Sequence, residues 1–151
     1  YQRGPSVGRV LGSLGVPSAA SWRLLALAGV EGVADVPLDA QAALRREAYR
    51  FISRLTDGPR RLKVHDSVGV PIDEGPFPFD EVRRVVYLVR DPRDVAVSLA
   101  HHMGTSLNDA ATLMRRPEFW LLNHAVQCPQ HLGAWAGHVT GWLRAPADVL
   151  V

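Results

Sequence analysis

Sixteen of the seventeen Lys and Arg residues are arginine, and the one lysine, Lys63, stands two positions before a histidine, His65. Side chains two apart on a strand project to the same face, so Lys63-Val64-His65 presents an ammonium and an imidazole together. In an open α/β sheet the carboxyl ends of strands face the ligand crevice. An imidazole there, with an ordinary pKa of about 6.5, can serve as a general base. A neighbouring cation helps to hold it neutral and able to accept a proton. A compact ammonium also suits a place where a planar guanidinium does not fit. The plainer alternative is a His65 that caps the strand beside a solvated Lys63, and the tripeptide alone does not separate the two.

A second segment runs Val86-Tyr-Leu-Val-Arg90-Asp-Pro-Arg-Asp-Val-Ala-Val-Ser98. An apolar strand delivers Arg90 to the crevice and a helix begins at once. Ser98 lies about two turns into that helix, on the side an arginine head can reach. A guanidinium offers bidentate donors and a serine adds a hydroxyl, so the pair can hold one terminal phosphate. The competing arrangement pairs Arg90 with Asp91 or Asp94 at the helix start.

The elements that position these residues follow from periodicity. Residues 21–27 read as a short helix. Asp39 can cap a helix whose apolar face is Leu44, Ala48, Phe51, Ile52 and Leu55, and Gly58-Pro59 stops it. A short strand over 61–65 leads into a Gly/Pro-rich loop over 67–79. Val85 to Val89 is continuously apolar, as in a parallel strand buried on both faces. Asp91 then caps a helix with Pro92 in its first position, Val95, Leu99 and Met103 along its stripe, and Gly104 at its end. Ser106 with Asp109 starts another short helix that stops near Arg116-Pro117. Residues 117–130 read as irregular or weakly helical. An amphipathic helix carries Leu132, Trp135, Ala136, Val139, Trp142 and Leu143, and 148–151 opens another strand. Strands alternating with helices predict an α/β fold, a parallel β-sheet flanked by helices, in a single domain over 1–151.

Composition narrows the classes. At 151 residues, with 47% apolar and 21% charged residues, the chain is ordinary for a globular domain. A formal charge of +2 is too weak to argue for nucleic acid. The longest strongly apolar stretch, 24–30, is too short to span a bilayer, and no signal peptide is visible. The single cysteine, Cys128, excludes an internal disulfide framework and suits a reducing compartment, so the expected location is cytoplasmic. His101 and His102 are adjacent on a helix and point about 100° apart. With His124, His131 and His138 scattered, no zinc site is expected. Phe119 and Trp120 either line an acceptor pocket or pack in the core.

Together the two segments resemble the sulfotransferase family, which places a Lys-x-His on one strand with the His as catalytic base. A later strand ends in Arg-[Asn/Asp]-Pro-[Arg/Lys]-Asp-Val-x-x-Ser, whose first Arg and last Ser bind the 3′-phosphate of 3′-phosphoadenosine 5′-phosphosulfate. The matching positions here are Lys63, His65, Arg90 and Ser98. Gly133-Ala-Trp135-Ala-Gly-His138-Val139-x-x-Trp142 is similar to the family's Gly-Ser-Trp-x-x-His-Val-x-x-Trp helix, so the resemblance runs from about 61 to 142. It implies a P-loop-like sulfotransferase fold and sulfuryl transfer to a hydroxyl or amine of a small-molecule or carbohydrate acceptor. In that reading His65 is the base, Lys63 an auxiliary cation, and Arg90 with Ser98 the cofactor-binding pair, with no metal, nucleic acid or membrane partner.

The departures are as specific. The family's phosphate loop, Pro-[Lys/Arg]-Ser-Gly-[Thr/Asn]-Thr-Trp, should precede the first helix. Gly4-Pro5-Ser6-Val7-Gly8 lacks its Lys and its Thr-Trp. Residues 8–15 make no Walker loop, which counts against a small-molecule kinase. The family's Tyr-Glu-[Asp/Glu] and Gly-Asp-Trp-Lys segments are expected after residue 151. The chain therefore reads as a truncated domain with half a donor site. The alternative is a remnant without turnover that binds a nucleotide or a partner.

Overall fold

The computed structural model describes residues 18–29, 36–54, 58–68, 75–122 and 127–151. The 4–8 and 8–15 stretches, Leu55, residues 69–74 of the 67–79 loop and His124 lie outside the described residues. The elements run α1 (Trp22–Leu27), α2 (Leu38–Arg54), β1 (Val85–Val86), α3 (Pro92–Met103), α4 (Leu107–Leu113), β2 (Trp120–Leu121), β3 (Gln130–His131), α5 (Trp135–Leu143) and β4 (Val149–Leu150). Strand β1 pairs parallel with β4, Val85 opposite Val149 and Val86 opposite Leu150. Parallel neighbours need a crossover between them, and α3, α4 and α5 lie in this one. Helices with a small parallel sheet fit the α/β class.

Local chemistry explains the helix ends. The Asp91 side chain accepts the Arg93 N–H at 2.9 Å, and Pro92 takes the first helical position, where its missing N–H costs nothing. Gly104 closes α3 with a left-handed φ of 62°, a conformation that glycine adopts freely. At α4 the Ser106 hydroxyl accepts the Asp109 N–H at 3.1 Å and donates to the Asp109 carboxylate at 2.7 Å.

The core collects Ala19, Ala20, Leu24 and Leu25 against Ala48, Tyr49 and Ile52 of α2, with Val68, Phe77, Cys128 and Trp142. Each fully buried Leu or Ile contributes about 1.5–3 kcal/mol. The Trp142 ring centroid lies 5.1 Å from that of Phe77 and 6.1 Å from that of Tyr87.

Four sequence expectations need correction. The buried face of α2 is Gln41, Arg45, Ala48, Tyr49 and Ile52, while Leu44 and Phe51 are 37% and 46% exposed. A buried ion pair involving Arg45 rotates that face away from the purely apolar one. The helix also starts at Leu38, so Asp39 lies within it rather than before it. Val86 and Leu88 are 69% and 84% exposed, because β1 has one strand partner among the described residues. The expected 61–65 strand reduces to a single parallel bridge between Lys63 and Ser18. Finally, the irregular 117–130 stretch contains β2, which pairs antiparallel with β3.

Candidate functional site

The segment carrying Lys63 and His65 is fixed from three sides. From one side, the Ala19 N–H donates to the Lys63 carbonyl at 2.8 Å. From α5, His138 Nε2 meets the His65 carbonyl at 3.0 Å, and Trp142 Nε1 donates to the Asp66 carbonyl at 3.0 Å. Residues four apart share a helix face, so one face of α5 grips two consecutive peptide groups. From α2, Arg45 donates to both oxygens of Asp66, at 2.9 and 2.7 Å, and the same carboxylate accepts the His131 N–H at 3.1 Å. Arg45 also donates to the Tyr49 hydroxyl at 3.0 Å, which in turn donates to the Ala19 carbonyl at 2.7 Å. Asp66 is 1% exposed, so this network is dry.

Lys63, His65, Arg90 and Ser98 all line one cavity of about 1650 Å³. Val95, Ser98, Leu99 and His102 line it from α3, at the three- and four-residue spacing of a single helix face. Solvent reaches His65, yet the walls around it and the Lys63 charge lower its pKa below the usual 6.5. His138 and His102 push weakly in the same direction, and Asp66 opposes them. His65 is thus neutral at pH 7, the form that takes up a proton.

Arg90 does not pair with Asp91 or Asp94. Asp91 is held by Arg93, at 2.6 Å and through the cap itself. Arg90 is exposed on the cavity wall and forms no ion pair with a described residue. A guanidinium without an ion pair retains its capacity for an anion.

Several residues escaped the sequence reading. Arg45 and Tyr49 were hidden because polar residues on a helix face read as solvated, and Asp66 because an acidic residue opening a loop reads the same way. His102 was set aside with the other histidines, although four residues after Ser98 it reaches the same wall. The 18–21 turn is the third omission. It leads into α1 and lies against Lys63, and its Ser18 and Trp22 keep the spacing of the Ser and Trp in the family's phosphate-loop pattern. That spacing was the available signal. The turn carries no cation, and Ala19 and Ala20 are each 1% exposed. Its backbone is partly occupied: the Ala19 N–H donates to the Lys63 carbonyl at 2.8 Å and the Ser21 N–H to the Ser18 carbonyl at 3.1 Å, while the buried Ser18 hydroxyl has no partner among the described residues.

His131 is structural. His131 Nε2 meets the Pro117 carbonyl at 2.9 Å and its Nδ1 the Ser67 hydroxyl at 2.8 Å. Cys128 is buried, and its thiol pKa is pushed up to about 11 by that burial, which makes it a poor nucleophile. No three His, Cys, Asp or Glu among the described residues are grouped to hold a metal ion. No helix among them is long and apolar enough to cross a membrane.

A family model described as a sulfotransferase domain matches residues 53–149. Sulfotransferase 2A1 of Macaca fascicularis is 30% identical over 98 residues, covering 63% of this chain and 31% of the relative. Sulfotransferase 2B1 of Rattus norvegicus is 37% identical over 68 residues, 44% of this chain and 18% of the relative. The human sulfotransferase 2B1 is 35% identical over 68 residues, again 44% of this chain and 17% of the relative. The chain thus spans less than a third of the length of each of these relatives. No solved structure matches it.

Proposed function

The chain belongs to the sulfotransferase domain family, and from that premise we propose that it holds the nucleotide end of a sulfuryl donor and presents His65 to an acceptor. The donor is 3′-phosphoadenosine 5′-phosphosulfate, which supplies the sulfuryl group when bound. Arg90 and Ser98 take its 3′-phosphate and so orient the nucleotide without touching the reacting atoms. His65 accepts the proton of the acceptor's hydroxyl or amine, for which a positioned base is worth about 10²–10⁴ in rate. Lys63 adds positive charge beside it. The acceptor is a small molecule bound over the cavity beside the 67–79 loop, in a P-loop-like α/β domain. The lone buried thiol of Cys128 suits the cytoplasm.

The observation that carries this reading is that Arg90, without an ion pair among the described residues, lines the same cavity as Ser98 and His65. Calorimetric titration with adenosine 3′,5′-bisphosphate tests it. Arg90→Ala should weaken binding at least about tenfold, because a charge-assisted hydrogen bond is worth about 1.5–3 kcal/mol. His65→Ala should leave binding unchanged and abolish turnover wherever turnover is measurable. Equal loss of nucleotide binding in both variants contradicts the assignment. Nucleotide binding without turnover is the second reading, and the absence of any cation from the 18–21 turn beside Lys63 favours it.

A further inference from the structure

Tyr87 lies three residues before Arg90, and its hydroxyl is 2.9 Å from His138 Nδ1. The other ring nitrogen of His138, Nε2, is 3.0 Å from the His65 carbonyl oxygen. A carbonyl only accepts, so Nε2 must carry the hydrogen and donate it. In the neutral ring Nδ1 is then an acceptor, and the Tyr87 hydroxyl donates to it. Burial raises the Tyr87 pKa and lowers that of His138, which keeps both groups neutral and this direction of donation intact at pH 7. The two rings also stack, with centroids 5.8 Å apart and planes inclined by 25°.

We propose that Tyr87 and His138 are positioning residues for His65: the acceptor-only His65 carbonyl fixes the Nε2–H tautomer of His138, and the Tyr87 hydroxyl, donating to Nδ1, holds the ring so that Nε2–H keeps the His65 peptide in register with the cavity. The inference rests on the reading of His65 as the base. It adds that the strand delivering Arg90 and the segment carrying His65 share one hydrogen-bonded strut across α5. The Trp142 bond to the next carbonyl prevents the segment from pivoting about the His138 contact. Neither positioning residue touches an acceptor proton itself. Each acts by holding the His138 ring against the His65 carbonyl and so fixing where the imidazole of His65 points. Lys63, Asp66, His138 and His102 are the charged or titratable groups acting on that imidazole, so a shift of its position changes its distance from all four and is read out by its titration.

NMR of the whole chain tests this. In the wild type, ¹⁵N shifts should report the Nε2–H tautomer of His138, and finding the Nδ1–H tautomer overturns the proposal without any variant. Tyr87→Phe should leave that tautomer in place, because the His65 carbonyl still requires an Nε2–H donor, and should move the His65 titration in the same direction as His138→Leu by a smaller amount. His138→Leu should move the His65 titration up toward the ordinary histidine value, whereas His138→Gln, which keeps an N–H donor but loses the ring, should hold it near the wild-type position. Equal His65 titrations in the Leu variant and the wild type also overturn it. A merely structural His138 would lower stability in both variants and leave the Gln and Leu titrations alike. Adenosine 3′,5′-bisphosphate affinity, measured on the same samples, should stay within about twofold, because Arg90 is untouched. Failure of the wild type to bind that nucleotide would sink the functional reading while leaving the strut to be judged by the tautomer.

Discussion

Asp66 stands next to His65 and takes both donors of a buried guanidinium, at 2.9 and 2.7 Å. Removing one member of such a pair leaves the other charged and dry, which costs about 3–5 kcal/mol. Asp66→Ala should therefore lower the urea midpoint sharply. Replacing both partners, Arg45→Met with Asp66→Leu, should recover most of the loss, since a well-packed apolar pair often matches a buried ionic one. A mild effect of Asp66→Ala would mean that the pair is hydrated in solution. Sequence patterning did not expose this pair, because the 3.6-residue rule counts apolar side chains. It assigned Leu44 and Phe51 to the buried face on that count, when Arg45 holds it. The Lys63, His65, Arg90 and Ser98 set came from the sequence through its likeness to the family's Lys-x-His and Arg-to-Ser spacing, and all four line one cavity.

At the scale of elements, α5 ties the base segment to β1 through His138 and Trp142. His65 and His138 both have pKa values lowered by burial below the ordinary 6.5. Between their folded values and 6.5, the unfolded chain binds more protons than the folded one, so stability rises with pH through that window. The contribution is complete above 6.5 and is lost as the pH falls through the depressed values. Urea midpoints measured from pH 7.5 to 5 should fall with acid, and less steeply in His138→Gln. A flat profile across that range contradicts the burial of the two imidazoles. Helices α3 and α4 were readable from Asp91, Pro92, Gly104 and Ser106, whose caps act within a few residues. Strands β2 and β3 were not, because Trp120 and His131 find each other only through tertiary pairing. The 18–21 turn was missed because its likeness to a phosphate loop lies in Ser18 and Trp22 alone, with the charged position between them and the preceding chain gone.

Across the whole molecule, apolar side chains remain uncovered along the parallel pair: Val86, Leu88, Leu150 and Val151 are all exposed. A strand with a free edge and an apolar face favours self-association. Leu150→Lys lies outside the cavity lining, so it should reduce concentration-dependent association in sedimentation experiments and leave nucleotide affinity within about twofold. Unchanged sedimentation would show that this edge is protected in solution. The α/β class was visible in the alternation of elements, but the degree of burial was not, since it depends on which strands stand beside β1.

The cavity is also lined by Arg54, Arg60, Arg61, Arg83 and Arg84, of which the last four precede the His65 segment and β1 in sequence and so lie toward the other end of those two stretches from His65 and Arg90. At about 3.3 Å per residue, Arg84 and Arg90 are separated by roughly 20 Å along the chain. Chemical-shift mapping during titration with adenosine 3′,5′-bisphosphate distinguishes the two ends directly. The account predicts that the Arg90 side-chain N–H and the Ser98 amide shift together and saturably, with smaller changes at His65. Shifts confined to Arg61 and Arg83, with Arg90 and Ser98 unmoved, would contradict it.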